Sequence, residues 1–595
     1  MNKLLLCSVV LVLPFAMHAQ PAASVESRIA AQNTIFDDWY EQNLRDNPLA
    51  ATAYGDYRYN DQLDDESAAA YAKINQQNKA FLARLVAVNT NGMPEQDWLS
   101  HEIMLRRLRQ SIESYELKNY EMSVNQQIGI HITLSDLPNQ VPLDSVKHYD
   151  DYIARLHQIP RVLAETTEVL RQGMADHLMP PRFVLEKVAT QAQGIADSKP
   201  FLTPVGKIPT SFSAADRQRI TAAIHQATDN EVSPAFARFA EFISKDYAPH
   251  GRADISIASL PDGQHRYEVA VRNMTTTNLT PEQIHQLGLE EVKRIHAEMN
   301  ELAHRAGFKD LASFKQSLQT NPKYKPASSE QILGDFRHYI DQMRPKLAEL
   351  FTVLPDCPVT VEAIPPYQAG TATHYQTGTP DCKRPGRVSV ATSDFQHRTM
   401  INDEAIAYHE GIPGHHMQLS VQQQLNGLPR FRLHGTGGMN AFVEGWALYS
   451  EQLGKDIGFY QDPVSDYGRL SSELFRAVRL VVDTGIHSKG WTRDQVIQYF
   501  RENSSEDEPN IQAETDRYIA WPAQALSYKL GQLKFRELRE RAQRELGPTF
   551  DLRRFHDEML SGGAMPLDLL DMRTNRWIAG QKPAVASAEP APLIR

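Results

Sequence analysis

The chain has 595 residues, with 62 Lys and Arg against 73 Asp and Glu and a formal net charge of −11. An acidic balance without a Lys/Arg run excludes a phosphate-tracking surface, so no nucleic-acid partner is expected. A mean hydropathy of −0.46 fits a globular protein rather than a membrane protein, and the length predicts two or more lobes.

Residues 1–19 read as a secretory signal peptide: Lys3, an apolar run from Leu4 to Ala16, and small residues at the cut site. The run is shorter than the roughly 20 residues a membrane-spanning helix needs. Cys7 lacks the small preceding residue that lipoprotein processing prefers, so no membrane anchor is expected. The mature protein is expected to be periplasmic or secreted. Cleavage removes Cys7 and leaves Cys357 and Cys382, an even pair in an oxidising compartment that predicts a disulfide.

Residues 24–250 read as a helical N-terminal region. Ile255 and Ile257 alternate with polar residues, Pro261-Asp262-Gly263 turns, and Tyr267, Val269 and Val271 alternate again, which predicts a hairpin. A helix then opens at Thr280-Pro281-Glu282-Gln283, where threonine caps and glutamine completes a capping box. Leu289, Val292, Ile295, Met299 and Leu302 recur on its apolar face. Ser328 with Gln331, and Thr492 with Gln495, repeat the cap signal. Extended patches at Pro358 to Ile364 and Arg387 to Ala391 flank a Pro- and Gly-rich stretch. Residues 251–578 read as the catalytic region, and 579–595, rich in Ala and Pro, as a disordered tail.

The chemistry concentrates in Glu404-Ala-Ile-Ala-Tyr-His409-Glu410-Gly-Ile-Pro-Gly-His415-His416. The familiar zinc motif sets two histidines four residues apart on one helix face, with the glutamate after the first as base. Here His409 and His415 are six apart, about 600° of rotation in an ideal helix. Gly411, Pro413 and Gly414 are poor in a helix interior, so the helix is expected to break and bring the imidazoles together. His415 is the expected second ligand, with His416 as the alternative. A catalytic site needs a third ligand and an open position. Glu444, on the next helix, is the preferred third ligand. Glu451, seven residues on, is placed behind it to orient an imidazole.

Four strings resemble a known family: Tyr408-His-Glu-Gly-Ile-Pro-Gly-His-His416, Phe442-Val-Glu-Gly-Trp-Ala-Leu-Tyr449, Phe475 to His487, and Trp521 to Gly531. They look like the bacterial domain-of-unknown-function 885 family, grouped with the gluzincin metallopeptidases of peptidase clan MA. The resemblance covers nearly all of the mature chain. It implies a two-histidine, one-glutamate zinc site and a mainly α, multi-helix, two-lobed, cleft-forming fold with a small β-sheet near the active site. It implies no substrate. Trp521 to Tyr528 is similar to the tyrosine-rich segment of thimet-type oligopeptidases. That likeness makes Tyr528 the expected oxyanion donor, with Tyr518 as the alternative.

Arg476, Arg479, Asp483 and His487 share one helical stripe. The arginines suit a substrate carboxylate or an interhelical ion network. Arg384, Tyr375 and His374 are placed along the cleft, and the Arg387 strand is expected to pair with substrate backbone, as in related folds. The expected activity is zinc-dependent hydrolysis of short, flexible peptides, with one Zn²⁺ per chain and Glu410 as base. Two alternatives are a metal-dependent amidase or esterase and a non-catalytic peptide-binding protein.

Overall fold

The computed structural model describes residues 23–582 except 356, 366–371, 394 and 435–436. The expected signal peptide and residues 583–595 of the expected tail lie outside the described residues. The fold is mainly α-helical with one small sheet. No helix among the described residues is long and apolar enough to cross a membrane.

In the N-terminal part, α1 (Val25–Asp46), α2 (Ala68–Val86) and α3 (Glu95–Glu116) pack together. Helices α4 (Gly263–Thr275) and α5 (Pro281–Arg305) follow. The Thr280–Gln283 capping box opens α5 as the sequence predicts. Val292, Ile295, Met299 and Leu302 are buried, whereas Leu289 is exposed at the edge of the apolar face. Ser328 and Thr492 cap their helices as predicted.

The expected hairpin at 255–271 does not form. The Pro261-Asp262-Gly263 turn is present, but it leads into α4. Tyr267, Val269 and Val271 are all buried although they lie on different sides of that helix. Several elements pack around α4, so its apolar residues escape the single-face pattern of a surface helix.

The sheet has the order β1-β3-β2, with β1 at Val359–Ala363, β2 at His374–Gln376 and β3 at Gly386–Val390. β1 runs parallel to β3, pairing Val359 with Gly386 and Ala363 with Val390. β2 runs antiparallel, pairing His374 with Ser389 and Gln376 with Arg387. β3 is therefore central. Both its edges are occupied, so it cannot accept a substrate strand as the sequence reading expects. The free edges belong to β1 and β2. Cys357 and Cys382 form a disulfide that ties the chain before β1 to the turn before β3.

The site-bearing helices are α6 (Asp403–Glu410), α7 (His415–Gln424), α8 (Asn440–Asp456), α9 (Pro463–Lys489), α10 (Glu508–Ala520) and α11 (Leu526–Leu546). The largest apolar core joins α1 and α3 to these helices through Phe36, Met104, Tyr408, Trp446 and Phe535. Each such aliphatic or phenyl side chain contributes about 1.5–3 kcal/mol when taken from water. Helices α8 and α11 approach backbone to backbone. A Cβ on Gly445 would lie 2.3 Å from the Gly531 Cα, and one on Gly531 would lie 1.9 Å from the Ala441 carbonyl oxygen. Only glycine at both positions allows this approach.

Candidate metal centre

The helix carrying His409 ends at Glu410, and α7 begins at His415. The intervening Gly-Ile-Pro-Gly turn reverses what ideal helical spacing would impose. A Cβ on Gly414 would sit 2.0 Å from the His409 carbonyl oxygen, so the turn closes only over glycine. The Trp446 indole N–H of α8 donates to the Pro413 carbonyl at 3.0 Å and holds the turn in place. As a result the His409 and His415 rings lie 4.9 Å apart, edge to face.

Glu444 enters from α8. Its Oε2 lies 3.6 Å from His409 Nε2 and 3.4 Å from His415 Nε2. Ligand atoms of the three residues fall within 4.8 Å of one another. Glu444 Oε2 and His415 Nδ1 are buried without a hydrogen-bond partner. Four-coordinate zinc with bonds of about 2.0–2.1 Å separates its ligands by about 3.3–3.4 Å. The His415–Glu444 distance falls on that edge and the His409–Glu444 distance lies about 0.2 Å beyond it, so small side-chain shifts would let these residues hold a tetrahedral divalent ion.

A second carboxylate sits behind the first. His409 Nδ1 donates to Glu451 Oε1 at 2.8 Å, and both side chains are 2 % exposed. This bond fixes the ring so that Nε2 faces Glu444. Burial opposes a charge on His409, but the neighbouring carboxylates of Glu444, Glu451 and Glu410 hold it at about 9. Burial likewise opposes ionisation of Glu444, and the two imidazoles overcome it, keeping its carboxyl well below the usual range. Opposite charges this close favour both ionised forms.

His416 points elsewhere. Its Nε2 donates to the Cys357 carbonyl at 2.9 Å, and its Nδ1 accepts from the Tyr375 hydroxyl at 3.1 Å. Burial pushes it down to about 4. Of the two histidines the sequence left open, only His415 joins the donor cluster. Tyr375, expected along the cleft, instead braces His416. Glu410 is 7 % exposed, beside His409, and its carboxylate makes no hydrogen bond to the described protein.

Tyr528 stacks on His409 with centroids 6.2 Å apart and planes 15° from parallel. Its hydroxyl receives a bond from Gln524 Nε2 at 3.4 Å. Burial first, then the Glu444 charge, raises its pKa, with Arg517 and Arg479 opposing. The phenol therefore keeps its proton. Tyr518, the alternative, is fully buried, donates to Glu514 and accepts from Arg479 Nε at 2.9 Å.

The arginine stripe on α9 serves two purposes. Arg476 Nη2 approaches Glu451 Oε1 at 3.8 Å. Arg479 binds Glu514 at 3.1 Å and lies 4.4 Å over the Tyr528 ring. Both arginines are buried behind the site and pair with protein carboxylates, the ion-network outcome of the sequence reading. His487 is a correction: Nδ1 accepts from the Ile257 N–H at 3.1 Å and Nε2 donates to the Tyr518 carbonyl at 3.0 Å. Both nitrogens bind backbone, so it cannot meet a substrate. Arg384 is another: it donates to the Gln140 side chain at 2.9 Å and the Ala53 carbonyl at 2.7 Å, tying the sheet to the N-terminal helices. His374 lines a cavity of about 890 Å³ with Gln376 and Arg155.

Sequence reasoning missed two contributors. Gln524 lies in the turn between α10 and α11, close in sequence to the Tyr528 it contacts. Arg517 Nη1 holds Gln524 at 2.6 Å and is held in turn by Glu514; no local signal marks that pairing.

Fold and site together define a mainly helical protein that gathers two imidazoles and a carboxylate from a broken helix and its neighbour. The chain belongs to the family of bacterial proteins of unknown function DUF885, whose model matches residues 48–573. It is similar to a solved Colwellia psychrerythraea protein described as a "putative lipoprotein", at 28% identity and TM-score 0.87, covering 93% of this chain and 99% of that one. A Shewanella oneidensis protein described in the same words shares the fold at 19% identity and TM-score 0.68, over 93% of this chain and 100% of that one. A Trypanosoma cruzi metallocarboxypeptidase gives a TM-score of 0.33 at 11% identity, over 94% of this chain and 99% of that one, too low to relate the folds. No curated protein matches the chain.

Proposed function

We propose that this protein is a zinc-dependent peptidase of gluzincin type, acting on short, flexible peptides outside the cytoplasm. His409, His415 and Glu444 would hold one zinc ion per chain. The observation that carries the reading is the convergence of their ligand atoms within 4.8 Å of one another, with His409 oriented by Glu451. Zinc, when bound, polarises a carbonyl and acidifies water. Glu410 takes a proton from the attacking water and passes it to the leaving amine. Tyr528 donates a hydrogen bond to the oxygen that gains charge. Arg479, stacked on its ring, keeps that phenol in place. The leader-like residues 1–19 and the lipoprotein description of the Colwellia relative support export.

The test pairs elemental analysis with a peptide-library assay. Wild type should carry about one zinc and His409→Ala none. Glu410→Gln should keep zinc and lose about 10²–10⁴-fold of its peptidase rate. A fully active Glu410→Gln protein would remove Glu410 from its role. Zinc without peptide cleavage, but with turnover of ester or amide panels, would move the assignment to a non-peptide hydrolase.

A further inference from the structure

The turn between α10 and α11 is held in an unusual backbone. Ala523 sits at φ 67°, a left-handed conformation that a residue with a Cβ keeps only where its surroundings impose it. Its N–H donates to the buried Asp483 carboxyl of α9 at 3.0 Å. That bond fixes the turn and delivers Gln524, 5 % exposed, to both Arg517 and Tyr528.

Arginine only donates, so the amide has one orientation open to it. Arg517 Nη1 donates to Gln524 Oε1 at 2.6 Å. Arg517 is itself locked, with Nε and Nη2 on the two Glu514 oxygens at 3.0 and 2.9 Å. The amide oxygen therefore faces Arg517, and the NH₂ group faces Tyr528. Gln524 Nε2 lies 3.4 Å from the Tyr528 oxygen, long, as catalytic hydrogen bonds commonly are before substrate tightens them. The phenol carries one proton and accepts through the same oxygen. While it accepts from Gln524 its proton must point elsewhere, and it donates to no described residue. The ring is fixed by its contacts to His409 and the Arg479 guanidinium, so the hydroxyl torsion is the freedom that remains.

We propose that Gln524 is a positioning residue: by donating to the Tyr528 oxygen it turns the phenolic proton toward the substrate oxygen that gains charge. This rests on the peptidase reading, with Tyr528 as the oxyanion donor. Reversing the sense of that one hydrogen bond would silence Tyr528 without moving it.

Gln524→Glu makes the reversal. It has the same shape and keeps an oxygen for Arg517, which neutralises the added charge, but its second oxygen only accepts, so Tyr528 must donate to it. Gln524→Leu removes the contact and leaves the hydroxyl free to rotate. With a peptide that the wild type cleaves, Gln524→Glu should lower kcat about tenfold or more at unchanged KM, and Gln524→Leu should lower it less. A residue that served only the fold would rank the two the other way, since glutamate preserves the Arg517 bond that leucine deletes. In a Tyr528→Phe background, Gln524→Glu should change kcat by less than about twofold, because no phenolic proton remains to misdirect. A phosphinic analogue of the same peptide, which presents a tetrahedral anion, should bind Gln524→Glu more weakly than wild type in calorimetric titration. Gln524→Glu as active as wild type, or a loss that persists in the Tyr528→Phe background, would overturn the assignment and leave the peptidase reading in place. A wild type that holds zinc but cleaves no peptide would overturn both.

Discussion

Replacing Glu451 by alanine removes the carboxylate that accepts from His409 Nδ1 at 2.8 Å. Both side chains are buried, so no water substitutes fully. Losing a partner that orients a metal-bound histidine costs about 10–100-fold in metal affinity, or about 1.4–2.7 kcal/mol. A buried hydrogen bond to a charged group is independently worth about 1.5–3 kcal/mol, so the two routes agree. Alanine also strips Arg476 of its neighbour at 3.8 Å, which lowers stability without touching the metal. Glu451→Gln separates the effects: its side-chain oxygen still accepts, so the affinity loss should be smaller than alanine's. The assay is a zinc titration against a chromophoric chelator, with circular dichroism to confirm folding. If folded Glu451→Ala bound zinc as tightly as wild type, Glu451 would have no part in orienting His409.

Tyr528→Phe should lower kcat about 10²–10³-fold with little change in KM, because a donor to a developing oxyanion acts in the transition state; steady-state kinetics that show equal kcat would assign that donor elsewhere. Gly445→Ala drives a Cβ to 2.3 Å from the Gly531 backbone. The helices must part by about 1 Å to reach normal contact, at a cost of about 1–3 kcal/mol, and a Tm equal to wild type would show that α8 and α11 yield freely. Asp483 is buried, accepts from the Tyr267 hydroxyl and the Ala523 N–H, and burial raises it to about 7. Between pH 4 and 7 the folded protein holds a proton that the unfolded chain has released, so this group's stabilisation is greatest at acid pH and fades as pH rises. Asp483→Asn should flatten that slope in urea titrations from pH 5 to 8, and an unchanged slope would place its origin in another group.

Much of the fold was legible because its signals are local. Thr280 and Gln283 close a capping box within four residues, and Gly411, Pro413 and Gly414 announce a broken helix in their own chemistry. The pairing of Glu444 with Glu451 followed from their seven-residue spacing. What stayed hidden depends on partners distant in sequence. Nothing near Arg384 points to Gln140 or Ala53, and nothing near His487 points to Ile257. β3 looked available for substrate because a strand's neighbours are not written in the strand. Tyr267, Val269 and Val271 imitated a strand because neighbours cover several sides of α4, and full burial erases the helical period.

Helix α8 touches the candidate centre in three places: Glu444 faces the imidazoles, Glu451 fixes His409, and Trp446 pins the turn between the histidines. Those contacts sit at the heart of the largest apolar core. The site therefore has no loose half that can open while the rest stays shut. Any excursion of α8 would break all three contacts together, so ion release and collapse of the core should register in a calorimeter as one heat-absorption peak, with no earlier shoulder from a ligand loop melting by itself.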